Sequence, residues 1–250
     1  MAILYVASEA SELKPLANLL TAVRKLKWPL DYAYEGIWES RRMMLAANGA
    51  GPKLAAQAVE VAIRAVMVAE LSSSRLEAVV STGWCGALDP ELRESQIVVA
   101  TQVIDVSTNE TFDCAPIEAD GEFVSGVVAS QNSIANGAAE KERLRALGAV
   151  AIDMEAAGAA ARARRAGLPF CCIKVVSDRA DESFPFDLNN FRTSEGRIAR
   201  GKIVVQALAH PNRLPVLFQL KRRTEDAARA LGEFLVGCRI SSESDTAHAE

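Results

Sequence analysis

Short apolar runs alternate with longer amphipathic segments along most of the chain. The apolar runs predict strands at 3–7, 31–37, 43–47, 78–82, 96–105, 123–130 and 170–176. Helical spacing of apolar positions predicts helices at about 9–26, 52–71, 138–147, 154–166 and 227–236. Strands dominate the first part and βα alternation follows. This order indicates an α/β fold, a three-layer αβα sandwich around a mixed, twisted central sheet.

Composition favours one folded domain. The chain has 250 residues, of which 50% are hydrophobic, which suffices for a single core. No linker divides residues 1–240, whereas residues 241–250 are polar and acidic and are predicted to be disordered.

The net charge of −4 is spread along the chain and does not indicate a nucleic-acid partner. The N-terminus lacks a basic segment and no apolar stretch is long enough to span a bilayer, so we expect a cytoplasmic protein.

Cysteine and histidine usage restricts the chemistry. The five cysteines show no Cys-x-x-Cys spacing, which suits a reducing compartment better than a disulfide framework. The two histidines are His210, next to Pro211, and His248 in the polar tail. Catalytic Cys–His pairs, Ser–His–Asp triads and histidine zinc sites are therefore disfavoured. We expect neither a metal nor a redox cofactor, and we expect carboxylates to carry most of the proton transfer.

Two acidic segments stand where ligands bind in α/β proteins. Residues 152–158 read Ile-Asp-Met-Glu-Ala-Ala-Gly and open a small-residue helix, and residues 176–181 read Val-Ser-Asp-Arg-Ala-Asp after an apolar strand. Strand carboxyl ends and helix amino ends line the ligand crevice of such sheets. The two segments resemble the sugar-binding and base-binding signatures of the nucleoside phosphorylase and nucleosidase superfamily. The resemblance is strongest to the methylthioadenosine/S-adenosylhomocysteine nucleosidases.

The resemblance implies roles for both segments. Glu155 would accept hydrogen bonds from the ribose hydroxyls, and Met154 would pack on the sugar face. Asp178, preceded by Ser177, would protonate or hydrogen-bond N7 of the leaving base, and an aspartate there favours a 6-aminopurine such as adenine. The alternatives are ordinary local roles: an acid at a helix amino end for Glu155 and a turn-forming cap for Asp178.

The resemblance also implies a nucleophile site. Residues 6–13 are similar to the nucleosidase pattern Gly-Ala-Met-(Glu)3-Val, whose last Glu orients the attacking water and falls on Glu12, with Glu9 as the alternative. A second turn, which the family uses near an anion or water, contains Gly49, Ala50 and Gly51. A loop that lies near the sugar and the nucleophile in the family contains Thr82, Gly83 and Trp84, and Ile134 would pack on the base.

Departures from the family pattern favour hydrolysis. Phosphorylases generally have an Arg where this chain has Ser81, and phosphate binding needs Arg or Lys together with backbone amides. Phosphorolysis, with phosphate as co-substrate, remains the first alternative. Trp84 in place of a small serine, and the lack of a base-stacking aromatic, make a nucleoside- or lipid-binding protein without catalysis the second. A dinucleotide site is rejected because the Gly-x-Gly turn lacks a third glycine.

The segment at 211–223 departs from the simple nucleosidases. It is apolar with flanking basic residues, and it resembles the hopanoid-associated branch of the superfamily, whose proposed substrate is adenosylhopane. This pattern indicates either a peripheral membrane contact or helices packed on the core or on a second subunit. Family members form homo-oligomers, and the nucleosidase branch favours a dimer.

Overall fold

The computed structural model describes residues 1–69, 75–183, 188–191, 193 and 214–240. Its strands are β1 Ala2–Ala7, β2 Thr21–Lys25, β3 Tyr32–Trp38, β4 Arg41–Ala47, β5 Leu76–Ala87, β6 Ile97–Asp105, β7 Thr111–Asp113, β8 Ile117–Glu118, β9 Val124–Ser130, β10 Ala149–Asp153, β11 Phe170–Asp178 and β12 Arg239–Ile240. Its helices are α1 Ala10–Leu19, α2 Pro52–Ala69, α3 Ala138–Arg145, α4 Ala156–Arg165 and α5 Leu214–Gly237, with a 3-10 turn at Leu188–Phe191.

One mixed sheet organises the molecule. Its order is β10-β9-β6-β11-β5-β1-β4-β3-β2, with β7 paired to β6. β10 also pairs with β5, so this part of the sheet closes on itself. β4, β1, β5 and β11 run parallel to one another, and their carboxyl ends therefore meet at one edge. The predicted α/β class with a mixed central sheet is confirmed.

Two apolar cores flank this sheet. β1 is buried along its whole length, and its side chains alternate between the two faces as strand geometry requires. Leu4 and Val6 pack into the core that contains α2 and α4, whereas Ile3 and Tyr5 pack into the core that contains α1 and α5. The same pairs of helices contact each other, and this produces the expected layered arrangement.

Several local predictions differ from the structure. The helix predicted at 9–26 ends at Leu19, and Thr21–Lys25 forms an exposed edge strand against β3. The loop predicted at Thr82, Gly83 and Trp84 is part of β5, because these residues pair with β11. β10 was missed, since its alanine-rich sequence lacks a long apolar run. The helix predicted from Met154 begins at Ala156.

Several predictions fall outside the described residues. They are the end of the second helix near residue 71, His210 and positions 211–213 of the basic apolar segment, and the tail at 241–250. Among the helices that are described, none is both long and apolar enough to cross a membrane.

Candidate active site

A cavity of about 290 Å³ opens at the edge where the parallel strands end. Eight of the predicted site residues line it: Glu12, Ala50, Trp84, Ile134, Met154, Glu155, Ser177 and Asp178. The alternative nucleophile residue, Glu9, also lines it. The other four predicted residues do not line the cavity and lie in the segments next to it: Gly49, Gly51, Thr82 and Gly83.

Glu12 is held by three hydrogen bonds. It occupies the first turn of α1 in a capping box with Glu9, whose backbone N–H donates to Glu12 Oε2 at 2.6 Å. The Ser8 hydroxyl donates to the same oxygen at 2.7 Å, and the Trp84 N–H donates to Oε1 at 2.9 Å. Burial raises the pKa of the Glu12 carboxyl, while these hydrogen bonds act against that shift. The carboxyl is therefore fixed in place and suited to exchange a proton with a bound water.

The absence of a side chain at Gly83 leaves the space that the Glu12 carboxyl occupies. Its φ is +113°, in the region that favours glycine, and a Cβ built on it would lie 2.3 Å from Glu12 Oε1. No larger residue could occupy this position without moving Glu12 or the strand. The resemblance placed Gly83 in a loop near the sugar and the nucleophile, and the structure places it directly against Glu12, the predicted water-activating group.

Glu155 is the N-cap residue of α4 and lines the cavity. Its Oε1 accepts a hydrogen bond from the Gly51 N–H at 2.9 Å. Gly51 belongs to the turn that the sequence indicated as an anion or water site, so a carboxylate of the protein itself uses that backbone donor. Gly49 supports the same turn by donating its N–H to Ser8 O at 2.8 Å. Burial raises the pKa of Glu155 to about 8, and the neighbouring Asp153 and Glu12 add to the shift.

A fully buried ion pair lies beneath Glu155. Lys174 Nζ is 2.7 Å from Asp153 Oδ2, and neither side chain is exposed. Asp153 Oδ2 also accepts the Ala156 N–H at 2.9 Å, which connects the pair to the start of α4. Lys174 donates to Thr82 O at 3.0 Å. Burial acts to lower the pKa of Lys174, but Asp153 and Glu155 outweigh it, so the group is held as a cation.

Asp178 is the last residue of β11, and both of its carboxyl oxygens take part in hydrogen bonds. Its Oδ1 lies 2.7 Å from the Ser177 hydroxyl, which is also 3.1 Å from Cys85 O. Its Oδ2 accepts a hydrogen bond from Lys141 Nζ at 2.6 Å. Lys141 comes from α3, its side chain is 2% exposed, and it also donates to Arg179 O. The predicted base-binding acid is thus in direct contact with a buried lysine.

The loop predicted to contact the base is hydrogen-bonded to the 3-10 turn. Ile134 donates its N–H to Asn189 Oδ1 at 2.8 Å, and its carbonyl accepts from Asn189 Nδ2 at 3.0 Å. Glu140 of α3 holds the same loop by accepting hydrogen bonds from Gln131 and Asn136. The loop is therefore held by α3, the helix that also carries Lys141.

α5 closes one side of the cavity. Leu220 and Thr224 line the wall, and Trp84 Nε1 donates to Thr224 O at 3.2 Å. Arg223 pairs with Glu182 at 2.7 Å and donates to Ser177 O at 3.1 Å. Trp84 is therefore anchored to the helix, and α5 contacts the ends of β5 and β11.

Sequence reasoning missed the two buried lysines. Lys174 interrupts an otherwise apolar buried strand, and a lysine there requires a buried acidic partner. Lys141 lies three positions before Leu144 on α3 and shares its buried face, a weaker signal because α3 is strongly polar. In both cases the sequence could have indicated a buried cation, but it could not have identified the partner.

The cavity wall is acidic. Among the described residues that line it, five carry carboxyl groups and none is Lys or Arg: Glu9, Glu12, Asp153, Glu155 and Asp178. Within the described part of the chain, His, Cys, Asp and Glu side chains form no group of three placed to hold a metal ion.

Comparison with known families decides the class. The family model described as the phosphorylase superfamily matches residues 2–122 and 115–209. The chain belongs to the phosphorylase superfamily. It is therefore an enzyme of the class that cleaves N-glycosidic bonds, and the carboxyl-lined cavity lies at the edge of the sheet where such a superfamily member would bind its ligand.

Solved structures of nucleosidases share this superfamily fold. The 5′-methylthioadenosine/S-adenosylhomocysteine nucleosidase of Neisseria meningitidis, in complex with methylthio-immucillin-A, has a TM-score of 0.68 at 20% identity, covering 94% of this chain and 97% of that one. The corresponding Helicobacter pylori nucleosidase has a TM-score of 0.67 at 18% identity, covering 94% and 96%. A futalosine hydrolase mutant of Helicobacter pylori has the same TM-score at 17% identity, also covering 94% and 96%.

Proposed function

We propose that the protein is a nucleosidase that uses water to cleave the N-glycosidic bond of an adenine nucleoside, releasing free adenine. The observation that carries this proposal is the environment of Glu12. Its carboxyl faces the cavity, is fixed by three hydrogen bonds and is buried, as a group that orients and deprotonates water must be.

The other two carboxyls have complementary tasks. Glu155 would accept hydrogen bonds from the ribose hydroxyls, and in its ionised form it would stabilise the ring as it becomes oxocarbenium-like. Asp178 would enter the step in its protonated form and give that proton to N7 while the C1′–N9 electron pair moves to the base. Water then bonds to C1′ and its proton passes to Glu12, so the products are the free base and ribose with its 5′ substituent.

The charge of the cavity favours water over phosphate. A phosphate dianion needs Arg, Lys or free backbone donors. None of the described lining residues is a cation, and the Gly51 N–H is already bonded to Glu155. Lys141 and Lys174 are each paired with an aspartate. Phosphorolysis is therefore the second candidate, supported by membership of the superfamily.

The substituent at the ribose 5′ carbon would extend toward α5. Trp84 and Leu220 give that side of the cavity an apolar wall. On the outside of the same helix, Phe218 is 69% exposed and is followed by the exposed bases Lys221 and Arg222. These features support an apolar 5′ group, with adenosylhopane as the specific candidate, and a peripheral membrane contact through α5.

Release of free adenine tests the reaction. We would supply methylthioadenosine, adenosine and an adenosyl-lipid analogue, with and without phosphate, in water enriched in ¹⁸O. Hydrolysis predicts phosphate-independent release with ¹⁸O on the ribose. Release only with phosphate, and ribose 1-phosphate as product, would establish the second candidate instead.

Two variants test the assignment of the water-activating group. Glu12→Gln should lower kcat by roughly 100-fold or more, the usual contribution of a general base. Glu91→Gln, at an exposed turn, provides a matched control and should keep full activity. Equal activity of both variants would remove Glu12 from the mechanism.

A further inference from the structure

The position of Lys141 adds a residue to the reaction. We infer that Lys141 is a positioning residue for Asp178, which holds the carboxyl in place and compensates the negative charge left on it when the base takes its proton. This inference rests on the proposed function, since it concerns the leaving-group step of that reaction.

The contacts of Lys141 specify its action. Its ammonium is 2.6 Å from Asp178 Oδ2 and also donates to Arg179 O, the carbonyl of the next residue. It therefore fixes the acid by its side chain and by the adjacent backbone. Oδ1, the other oxygen, lies 2.7 Å from the Ser177 hydroxyl. Gly86 lies against the same carboxyl, because a Cβ built on it would be 2.9 Å from Asp178 Oδ2.

Burial makes this contact important for the chemistry. The Asp178 and Lys141 side chains are 10% and 2% exposed, so water contributes little to their solvation. A buried carboxylate without a partner is costly. When the proton moves from Asp178 to the base, the carboxylate that forms faces a cation already in place, and no reorganisation is required.

The scaffold places Lys141 at the base end of the cavity. Lys141 belongs to α3, whose Glu140 bonds Gln131 and Asn136 in the loop that carries Ile134. α3 therefore contacts both Asp178 and the loop that is expected to pack on the base. Lys141 would therefore affect departure of the base, and not the grip on the sugar.

The test compares two leaving groups in wild type, Lys141→Met, Lys141→Arg and Arg143→Met. Arg143 is exposed on the same helix and serves as the control. The substrates are an adenine nucleoside and 4-nitrophenyl riboside, whose leaving group needs no protonation at N7. Lys141→Met should lose roughly 100-fold in kcat on adenine and about threefold on the nitrophenyl compound, with KM changing little. Lys141→Arg should recover most of the activity, and Arg143→Met should match wild type.

A double-mutant cycle covers the case in which Lys141→Met fails to fold. The Lys141→Met/Asp178→Asn variant carries neither charge, so it avoids an unpaired buried ion. If Lys141 acts through Asp178, adding Lys141→Met to Asp178→Asn should cost about threefold or less on adenine nucleosides. A full additional 100-fold loss would overturn the inference.

The remaining outcomes are also decisive. Equal losses by Lys141→Met on both substrates, with no rescue by arginine, would mean a purely structural role and overturn the inference while the nucleosidase assignment stands. If wild type cleaves neither substrate in water, the proposed function fails and takes this inference with it.

Discussion

The buried pair Lys174–Asp153 provides the sharpest test of the energetics. Replacing Lys174 by Met keeps most of the side-chain volume but leaves the carboxylate of Asp153 without its cation, at a site where neither side chain reaches solvent. Breaking a buried pair by removing one partner costs about 3–5 kcal/mol. For a chain of this size, 1 kcal/mol corresponds to about 2–4 °C in Tm, so the expected loss is about 6–20 °C.

A variant that lacks both charges distinguishes two contributions to the lost stability: the attraction between Lys174 and Asp153, and the cost of leaving Asp153 charged without a partner. Lys174→Met/Asp153→Asn removes both charges, and the Asn oxygen can still accept the Ala156 N–H at the start of α4. We therefore expect it to recover most of the Tm lost by Lys174→Met, because replacing both members of a buried pair is often close to neutral.

Thermal unfolding at pH 7, followed by circular dichroism, is the measurement. Lys221→Met is the control, since Lys221 and Glu225 form an exposed i, i+4 pair at 3.6 Å. Its Tm should be unchanged. A Lys174→Met variant within about 1 kcal/mol of wild type would refute the reasoning, because that is the range of an exposed pair.

Three further predictions concern the backbone and the pH response. Gly83→Ala should lower kcat by roughly 100-fold, because its Cβ would displace the Glu12 carboxyl; adenine release is the assay. Gly158→Ala should lower the free energy of unfolding by about 1–3 kcal/mol in urea titration, because its Cβ would meet Pro52 O at 1.9 Å; a stability equal to wild type would contradict the helix packing. The pKa of Glu155 is raised to about 8, so the folded state keeps a proton that the unfolded chain releases, and stability falls as pH rises from about 5 to 8. Glu155→Gln should lose this dependence, and its Tm relative to wild type should increase between pH 5.5 and pH 8.

The position of the site could be predicted from the sequence because it depends on strand ends. Apolar runs locate β1 and β11, and the acidic residues that follow them lie at the same edge of any parallel arrangement. Glu12 and Asp178 therefore line one cavity although 166 positions separate them, as their numbers in the sequence show. The register within each strand does not alter this conclusion.

The electrostatic partners could not be predicted in the same way. Lys141 on α3 and Asp178 at the end of β11 meet only in the folded chain, and nothing local in either segment encodes that contact. The edge strand β2 was missed for a related reason. Its residues are all exposed, so pairing with β3 selects the strand without help from an apolar pattern.

The balance of buried charge links these observations to the reaction. The site buries two ammonium groups and four carboxyl groups: Lys141, Lys174, Glu12, Asp153, Glu155 and Asp178. Each lysine is matched to an aspartate, which leaves the two glutamates without a cationic partner at hydrogen-bond distance among the described residues. In the free protein this surplus is unfavourable, since burial raises the pKa of both glutamates. A ribosyl ring that develops positive charge would relieve it, so the cavity is complementary to the transition state of glycosidic cleavage and not to an incoming anion.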